Sequence, residues 1–289
     1  MTSHARQLPI GSKLIIHEIH CQSPRSGRGP LRGGEATHLV FVRRGAFASH
    51  VGSREYIADP CTALIAWEET EYRISHPGDA GDDCTVLELG PELAHEILGR
   101  LEPRRDFAMQ LSPQVQAAYA ALWTVLARAH GDVLACEEAA LELMFSALDS
   151  ARPRIPAATK SRRATALAAI ELLNDDLAAN RPVSALAEEI GCSPSHLMHA
   201  FRAEIGATLR GYRLQLRLAA ALHRIAAGED NLAGLAAELG FASHAHLTDT
   251  FAHLVGIPPR DVRAWIQRDK DPSASSMRRF LEARIHRRA

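Results

Sequence analysis

The chain has 289 residues, of which 46% are hydrophobic and 5% aromatic; this composition excludes a disordered or fibrous protein and favours helices packed through small side chains. It contains no run of about 18 apolar residues and begins without the apolar core of a signal peptide, so we expect a cytoplasmic protein with no membrane partner. Its five cysteines form no CxxC pair, which argues against a disulfide framework and a finger-type zinc site.

The net charge of −1 hides opposite charges in the two halves of the chain. Residues 1–151 carry 13 Lys/Arg and 20 Asp/Glu, a net charge of −7, whereas residues 152–289 carry 20 and 14, a net charge of +6. Much of the positive excess lies in a Pro-containing linker, 152–163, and in a basic tail, 269–289. A basic half joined to an acidic half predicts that the C-terminal part meets a polyanion.

The N-terminal 90 residues have the pattern of a small β domain. Short β-branched or apolar runs alternate with Gly, Pro and Asp, and these runs lie at 13–20, 38–42, 47–51, 62–67, 72–75 and 84–89. We predict an antiparallel sandwich or barrel over residues 1–90. A pocket for a small effector is one use of its aromatic and cationic residues, Phe41, Arg43, Arg44, Phe47, Trp67 and Tyr72.

From residue 91 the apolar spacing changes to the helical period of 3.6. It predicts a helix near 92–101 and longer ones near 113–130 and 134–151. Because two such helices offer apolar faces, we expect residues 91–151 to form a dimerisation segment.

The last hundred residues contain an internal repeat. Six residues recur at an offset of 50, and four upstream residues recur at an offset of 49, as in the pairs Ser193/Ser243, Phe201/Phe251 and Gly191/Gly240. Each copy has a short helix, a Gly suited to a left-handed turn and a second helix opened by a Ser cap. This pattern predicts two helix-turn-helix units over residues 164–268, joined by a long helix near 209–227.

In each second helix, apolar residues four positions apart face the core and leave other side chains free for a partner. A major groove about 12 Å wide admits one such helix, so these side chains are positioned for base edges and the Ser caps for phosphates. The resulting candidate contacts are Ser193, Ser195, His196, His199, Arg202, Ser243, His244, Ala245, Thr248, Asp249 and Arg260.

Residues 164–268 resemble the double helix-turn-helix domain of the AraC/XylS family of bacterial transcription regulators. The resemblance rests on the first-copy residues 186–193, 196–201, Gly206, Tyr212 and Arg217, and on the second-copy residues 235–243, Leu247, Phe251, 256–260 and Arg263. It implies that residues 1–90 are a cupin-like sensor domain and that the protein is a dimer that binds double-stranded DNA as an activator or repressor. RNA polymerase is a further partner that such a role allows.

The sequence departs from the family at two positions. His199 and Asp249 stand where family members often have Arg or another long polar residue, so the contact to guanine does not carry over. The resemblance therefore predicts docking on DNA but not the operator. It leaves open whether the signal is a small molecule, a redox change or protein abundance alone.

A metal-dependent cupin enzyme fused to a DNA-binding module is the alternative. Residues 30–90 have only the isolated histidines His38, His50 and His76 rather than an HxH pair followed by an acid and a later His, and no enzyme motif of the hydrolase, zincin, dinucleotide or phosphate-loop kind is present. We therefore predict no catalytic residue, cofactor or metal. Cys61, His76 and Cys84 remain the weak candidates for a metal or redox site, since sulfur and imidazole are suitable ligands.

Overall fold

The computed structural model describes residues 3–10, 13–22, 26–34, 36–76, 81–99, 101, 108–128, 133–150 and 160–268. The basic tail and residues 152–159 of the predicted linker lie outside these ranges. Within them, no helix combines the length and the apolar character needed to cross a membrane.

Two antiparallel sheets make up the N-terminal part, as predicted. The strands are β1 (Ser3–Ile10), β2 (Leu14–Cys21), β3 (Thr37–Gly45), β4 (Phe47–Val51), β5 (Arg54–Ala58), β6 (Thr62–Ala66), β7 (Arg73–Ser75), β8 (Asp82–Leu89) and β9 (Ala108–Gln110). One sheet has the order β1-β2-β8-β3-β6-β9 and the other the order β5-β4-β7. Strands β1, β5 and β9 were not expected, and β9 extends the sheet beyond residue 90. The first two are rich in polar residues and the third has only three residues, so each lacks a clear apolar alternation.

Ten helices follow or interrupt the strands in the described ranges. They are α1 (Pro91–Leu98), α2 (Pro113–Arg128), α3 (Val133–Ser150), α4 (Lys160–Asp175), α5 (Val183–Ile190), α6 (Pro194–Ile205), α7 (Leu209–Ala226), α8 (Leu232–Glu238), α9 (His244–Val255) and α10 (Pro259–Arg268). Helix α4 begins inside the segment predicted as linker. The predicted α+β class is confirmed, with an antiparallel β part before an all-helical part.

The repeat is visible in the backbone. Gly191 and Gly240 take left-handed conformations, with φ of 78° and 73°, after the first helix of each unit. At Gly240 a Cβ atom would lie 2.3 Å from the Ala178 carbonyl oxygen, so this turn requires glycine. The second helices, α6 and α9, also end at left-handed glycines, Gly206 and Gly256.

Helix α2 lies between the β domain and the helical domain. Its larger side chains, including Tyr119 and Leu122, pack in the core beneath the large sheet. Its alanines Ala117, Ala120 and Ala121 pack in a second core with α7, α8 and α9. Small residues let two helices approach closely, so the alanine face of α2 fixes the two domains against each other.

Candidate DNA-binding face and ligand cavity

The first helix-turn-helix unit consists of α5 and α6. Leu197 and Phe201 are fully buried, whereas Ser195, His196, His199 and Arg202 are exposed, as the spacing predicts. The exposed Ser193 caps α6, because its Oγ accepts a hydrogen bond from the His196 backbone N–H at 3.2 Å. Met198 is also half exposed on this helix, and no sequence pattern had selected it.

The second unit, α8 and α9, repeats this arrangement. Ser243 caps α9 by accepting from the His246 backbone N–H at 3.1 Å. His244, Ala245 and Asp249 are exposed, while Thr248 is half-buried. Arg260, at the start of α10, is exposed too. The predicted candidate residues of both units therefore lie at the surface, with Thr248 the least accessible.

A single arginine joins both units to the helix between them. Arg217 of α7 is buried and donates from Nε to the Leu177 carbonyl at 2.7 Å and from Nη1 to the Gly240 carbonyl at 2.7 Å. Its Nη2 contacts the carbonyls of Ala178 and Ala179 at 3.3 Å. Burial lowers the pKa of Arg217 to about 10, which leaves the guanidinium charged at neutral pH. The charged guanidinium therefore connects the Gly240 turn of the second unit to residues 177–179, which precede the first unit.

A cavity of about 390 Å³ lies between the two sheets of the β domain. Its middle is apolar and includes Ile19, Val40, Leu64, Ile74 and Val86. Of the residues expected around a pocket, Phe47 and Tyr72 line the cavity. The other four do not: Phe41 and Trp67 belong to the core, Arg43 stacks on Trp123 at 5.3 Å, and Arg44 pairs with Asp83 at 2.9 Å.

Polar groups occupy two regions of the cavity wall. In one, His17 and His38 both approach the Glu88 carboxylate, at 2.7 and 3.5 Å, and burial lowers the pKa of His38. In the other, Cys21, His76 and Asp82 place one donor atom each within 4.8 Å of the others. Antiparallel pairing of β2 with β8 sets Cys21 directly opposite Asp82.

Of the three residues predicted as metal candidates, His76 and Cys84 line the cavity and Cys61 does not. His76 joins Cys21 and Asp82, which the sequence had not indicated as ligands. Cys84 lines the same cavity, and burial raises the pKa of its thiol well above the ordinary value. Cys61 packs instead in the core shared with α4–α7, where Gln116 Nε2 lies 3.6 Å from its sulfur. These ligands come from strands that are distant in sequence, so no local spacing could have revealed them.

Residues 186–264 match a family model described as "Helix-turn-helix domain". This segment contains the second helix of each unit, α6 and α9, and the buried Arg217. It is a helix-turn-helix domain. The match confirms the helix-turn-helix units that the repeat predicted in this part of the chain.

Three solved structures are similar in outline. ToxT from Vibrio cholerae O395 is 12% identical, with 89% of this chain and 99% of that chain covered and a TM-score of 0.36. An AraC-type DNA-binding domain-containing regulator from Chromobacterium violaceum is 22% identical, covering 38% and 98%, with a TM-score of 0.35. An RmlC-like cupin family protein from Methanocaldococcus jannaschii is 11% identical, covering 30% and 80%, with a TM-score of 0.27.

The search of curated proteins found no match.

The β domain contacts the helix-turn-helix domain through buried polar groups. Asp59, in the turn between β5 and β6, is fully buried and accepts a hydrogen bond from the Tyr212 hydroxyl of α7. Farther along α7, His223 packs edge-on against Tyr119 of α2, with ring centroids 4.8 Å apart. Burial lowers the pKa of His223 to about 3, so the imidazole is neutral at physiological pH. The sequence pattern had selected neither contact.

Proposed function

We propose that the protein is a sequence-specific DNA-binding transcription regulator of the AraC/XylS type. The observation that carries the proposal is the pair of capped, surface-exposed second helices within one matched helix-turn-helix domain. Each would enter a major groove with its N-terminal turns toward the bases, while cap serines and Arg260 hold phosphates. A partner of this kind implies a cytoplasmic location.

The connection between the two units supports binding at two adjacent groove faces. Most of the central residues of α7 are buried. Arg217 of this helix binds the carbonyl of Leu177, before the first unit, and that of Gly240, in the second unit. A rigid connector fixes the separation and angle of α6 and α9, so the two reading helices would bind at one defined spacing rather than independently.

DNA selection from a random library tests this function. Wild-type protein should recover a motif with two short conserved blocks. A triple change of His196, His199 and Arg202 to Ala should relax one block, and a triple change of His244, Thr248 and Asp249 to Ala the other. Removal of each side chain that touches a base should weaken binding to the selected site by roughly 5- to 150-fold.

A matched control changes three exposed side chains of the β domain, Arg28, Glu68 and Glu71, to Ala. This variant should recover the wild-type motif. Binding that is equally strong for all sequences, or a motif that neither recognition-helix variant alters, would contradict the proposal.

The cavity supports a second part of the proposal, the binding of a small effector. Its apolar middle and polar groups suit a small, mostly apolar molecule with a hydrogen-bonding group. Such a ligand would act on DNA binding by favouring one packing of α2 and of the Asp59 turn against α7, because these elements contact both domains.

A thermal-shift screen with and without a cavity-filling change tests effector binding. A compound that raises the melting temperature of wild-type protein should not raise that of Val86→Phe, whose larger ring would occupy the cavity. The control is Leu31→Phe at an exposed site, which should keep the wild-type response. Equal shifts in all three proteins would place the binding site elsewhere.

Dimerisation is the third part of the proposal, and α3 is the helix that supports it. Helix α2 is almost wholly buried within the chain, whereas α3 exposes Val133, Leu134 and Phe145. Light scattering during size-exclusion chromatography should give a dimer for wild-type protein and a monomer for Leu134→Glu combined with Phe145→Glu. A wild-type monomer at micromolar concentration would contradict this part alone.

A further inference from the structure

Three side chains at one end of the cavity form a compact set of mixed donors. Cys21 Sγ lies 3.3 Å from His76 Nε2, and His76 Nε2 lies 3.0 Å from Asp82 Oδ1. All three side chains line the cavity. In a tetrahedral zinc site the corresponding separations are about 3.6 Å for sulfur to nitrogen and about 3.4 Å for nitrogen to oxygen, as follows from the usual bond lengths. These two separations therefore stand a few tenths of an ångström from the spacing that such an ion requires, and the third, from Cys21 Sγ to the Asp82 carboxylate, is below 4.8 Å.

The imidazole of His76 is held in the orientation that this role needs. Its Nδ1 lies 3.3 Å from Ser26 Oγ, and the Ser26 backbone N–H donates to the His76 carbonyl at 2.9 Å. A partner on Nδ1 orients the ring so that Nε2 faces Cys21 and Asp82, as the other ring nitrogen faces the metal in histidine ligands.

Two glycines make the close approach of the strands possible. Gly81, with φ of +66°, sits so near Cys21 that an added Cβ atom would lie 2.1 Å from its carbonyl oxygen. Gly45, with φ of +75°, packs in the same way on the Gly81 carbonyl, at 2.0 Å. Larger residues would push the start of β8 away from the end of β2. The backbone is thus built to bring Cys21 and Asp82 together.

The Asp82 carboxylate gives independent support. Its side chain is only 4% exposed, and its Oδ1 lies 3.0 Å from His76 Nε2 but receives no well-aligned hydrogen bond from any described residue. A buried carboxylate oxygen without such a bond is costly, and the cost falls when a cation occupies the space before it. An aspartate and a thiolate together supply two negative charges, which match a divalent ion.

We propose that Cys21, His76 and Asp82 bind one divalent transition-metal cation of the zinc class. Sulfur, imidazole and carboxylate together suit Zn²⁺ better than Mg²⁺ or Ca²⁺, which prefer oxygen ligands. Three protein ligands leave a fourth position, and the placement of the set in the cavity wall directs that position at the cavity. Water or a donor atom of a cavity ligand would fill it. None of these three residues belongs to the DNA-binding face, so an experiment on metal binding tests this proposal separately from the proposed regulatory function.

Cobalt substitution of the full chain tests the proposal. After treatment with a chelator, the wild-type protein should bind one Co²⁺ per chain and show a thiolate-to-cobalt charge-transfer band in the near ultraviolet. Zn²⁺ should abolish the band by competition. Cys21→Ser should remove it. His76→Ala and Asp82→Asn should each weaken Zn²⁺ binding by more than about 100-fold, which is the most that loss of a residue hydrogen-bonded to a metal ligand costs. Ser26→Ala should weaken it by roughly 10-fold.

Two cysteine variants serve as controls. Cys84→Ser changes a neighbouring cavity thiol, and Cys192→Ser changes a half-buried thiol at the α5–α6 turn; both should keep the band. No band in wild-type protein, or a band that survives Cys21→Ser, overturns the proposal. Loss of the band in Cys84→Ser but not in Cys21→Ser overturns it as well.

If a variant of one of the three metal-binding residues does not fold, a measurement on wild-type protein alone still tests the proposal. Zinc X-ray absorption should report one sulfur and otherwise nitrogen or oxygen neighbours. A coordination shell without sulfur overturns the proposal, as does the absence of stoichiometric zinc after reconstitution.

Discussion

The Tyr212 hydroxyl of α7 donates a hydrogen bond to the Asp59 carboxylate of the β5–β6 turn, although 153 residues separate the two in sequence. Both side chains are fully buried. Asn174 of α4 contributes a longer contact to the same carboxylate oxygen, at 3.4 Å. One turn of the β domain therefore makes buried polar contacts with α4 and α7 of the helical domain.

Replacement of Tyr212 by Phe should weaken these contacts. The change keeps the ring, which packs edge-on against Phe201 at 5.4 Å, but leaves the buried Asp59 carboxylate without its closest donor. We expect the free energy of unfolding in urea to fall by about 1–3 kcal/mol. We also expect the unfolding transitions of the two domains to separate, since less energy couples them. Tyr72→Phe, on the cavity wall, is the control; an equal loss of stability in both variants would argue against a special role for Tyr212.

Replacement of Arg217 by Leu should destabilise the helix-turn-helix domain more strongly. The change removes the charged donor from several backbone carbonyls, among them that of Leu177, and leaves the Gly240 carbonyl with only the Asn180 side-chain amide, at 3.2 Å. Hydrogen bonds from a charged donor contribute about 1.5–3 kcal/mol each, and we expect a net destabilisation of at least about 3 kcal/mol. Arg210→Leu, at an exposed position of the same helix, should cost little. A destabilisation below about 1 kcal/mol for Arg217→Leu would contradict its role as the connector.

The burial of His223 predicts that stability falls as the pH falls. Its pKa is about 3 in the folded chain against an ordinary value of 6.5, so the unfolded chain binds more protons between these values. The contribution of neutral His223 to the free energy of unfolding is complete above pH 6.5. It is lost as the pH drops toward 3, at up to about 1.4 kcal/mol per pH unit. Urea unfolding of wild-type protein and of His223→Phe at pH 7, 6 and 5 measures it.

The variant should be less sensitive to pH because Phe keeps the edge-on contact with Tyr119 and has no proton to bind. His253→Phe, at an exposed site of α9, should retain the wild-type dependence. Identical slopes for wild type and His223→Phe would show that other groups govern the acid sensitivity.

Ser193 and Ser195 of the first unit should separate helix capping from contact with bases. Ser193→Ala removes the acceptor for the His196 backbone N–H and should cost about 1 kcal/mol of stability. Ser195→Ala, two residues later on the exposed face, should leave the melting temperature unchanged and weaken binding to the selected DNA site. Calorimetry and fluorescence anisotropy on the same preparations measure both quantities. The opposite pattern would exchange the roles assigned to the two serines.

The sequence alone predicted most of the helix-turn-helix domain. Helix period, serine caps and turn glycines act within a few residues, so the predicted bounds of α7 were correct to one residue. The repeat then distinguished a two-unit domain from an isolated helix pair. Strands β1, β5 and β9 escaped prediction because neighbouring strands, rather than their own sequence pattern, hold them in the sheets.

Only the tertiary structure decided which groups meet inside the molecule. Strand register brought Cys21 opposite Asp82 and near His76, and it left Cys61 outside this set. Packing likewise placed α2 between the domains and buried a face that amphipathic spacing alone would leave free for a partner. Local chemistry determines where helices begin, end and expose side chains, because those interactions span one or two turns. A cavity or a metal site depends on contacts across 50 or more residues, which only the assembled sheets and helices bring within bonding distance.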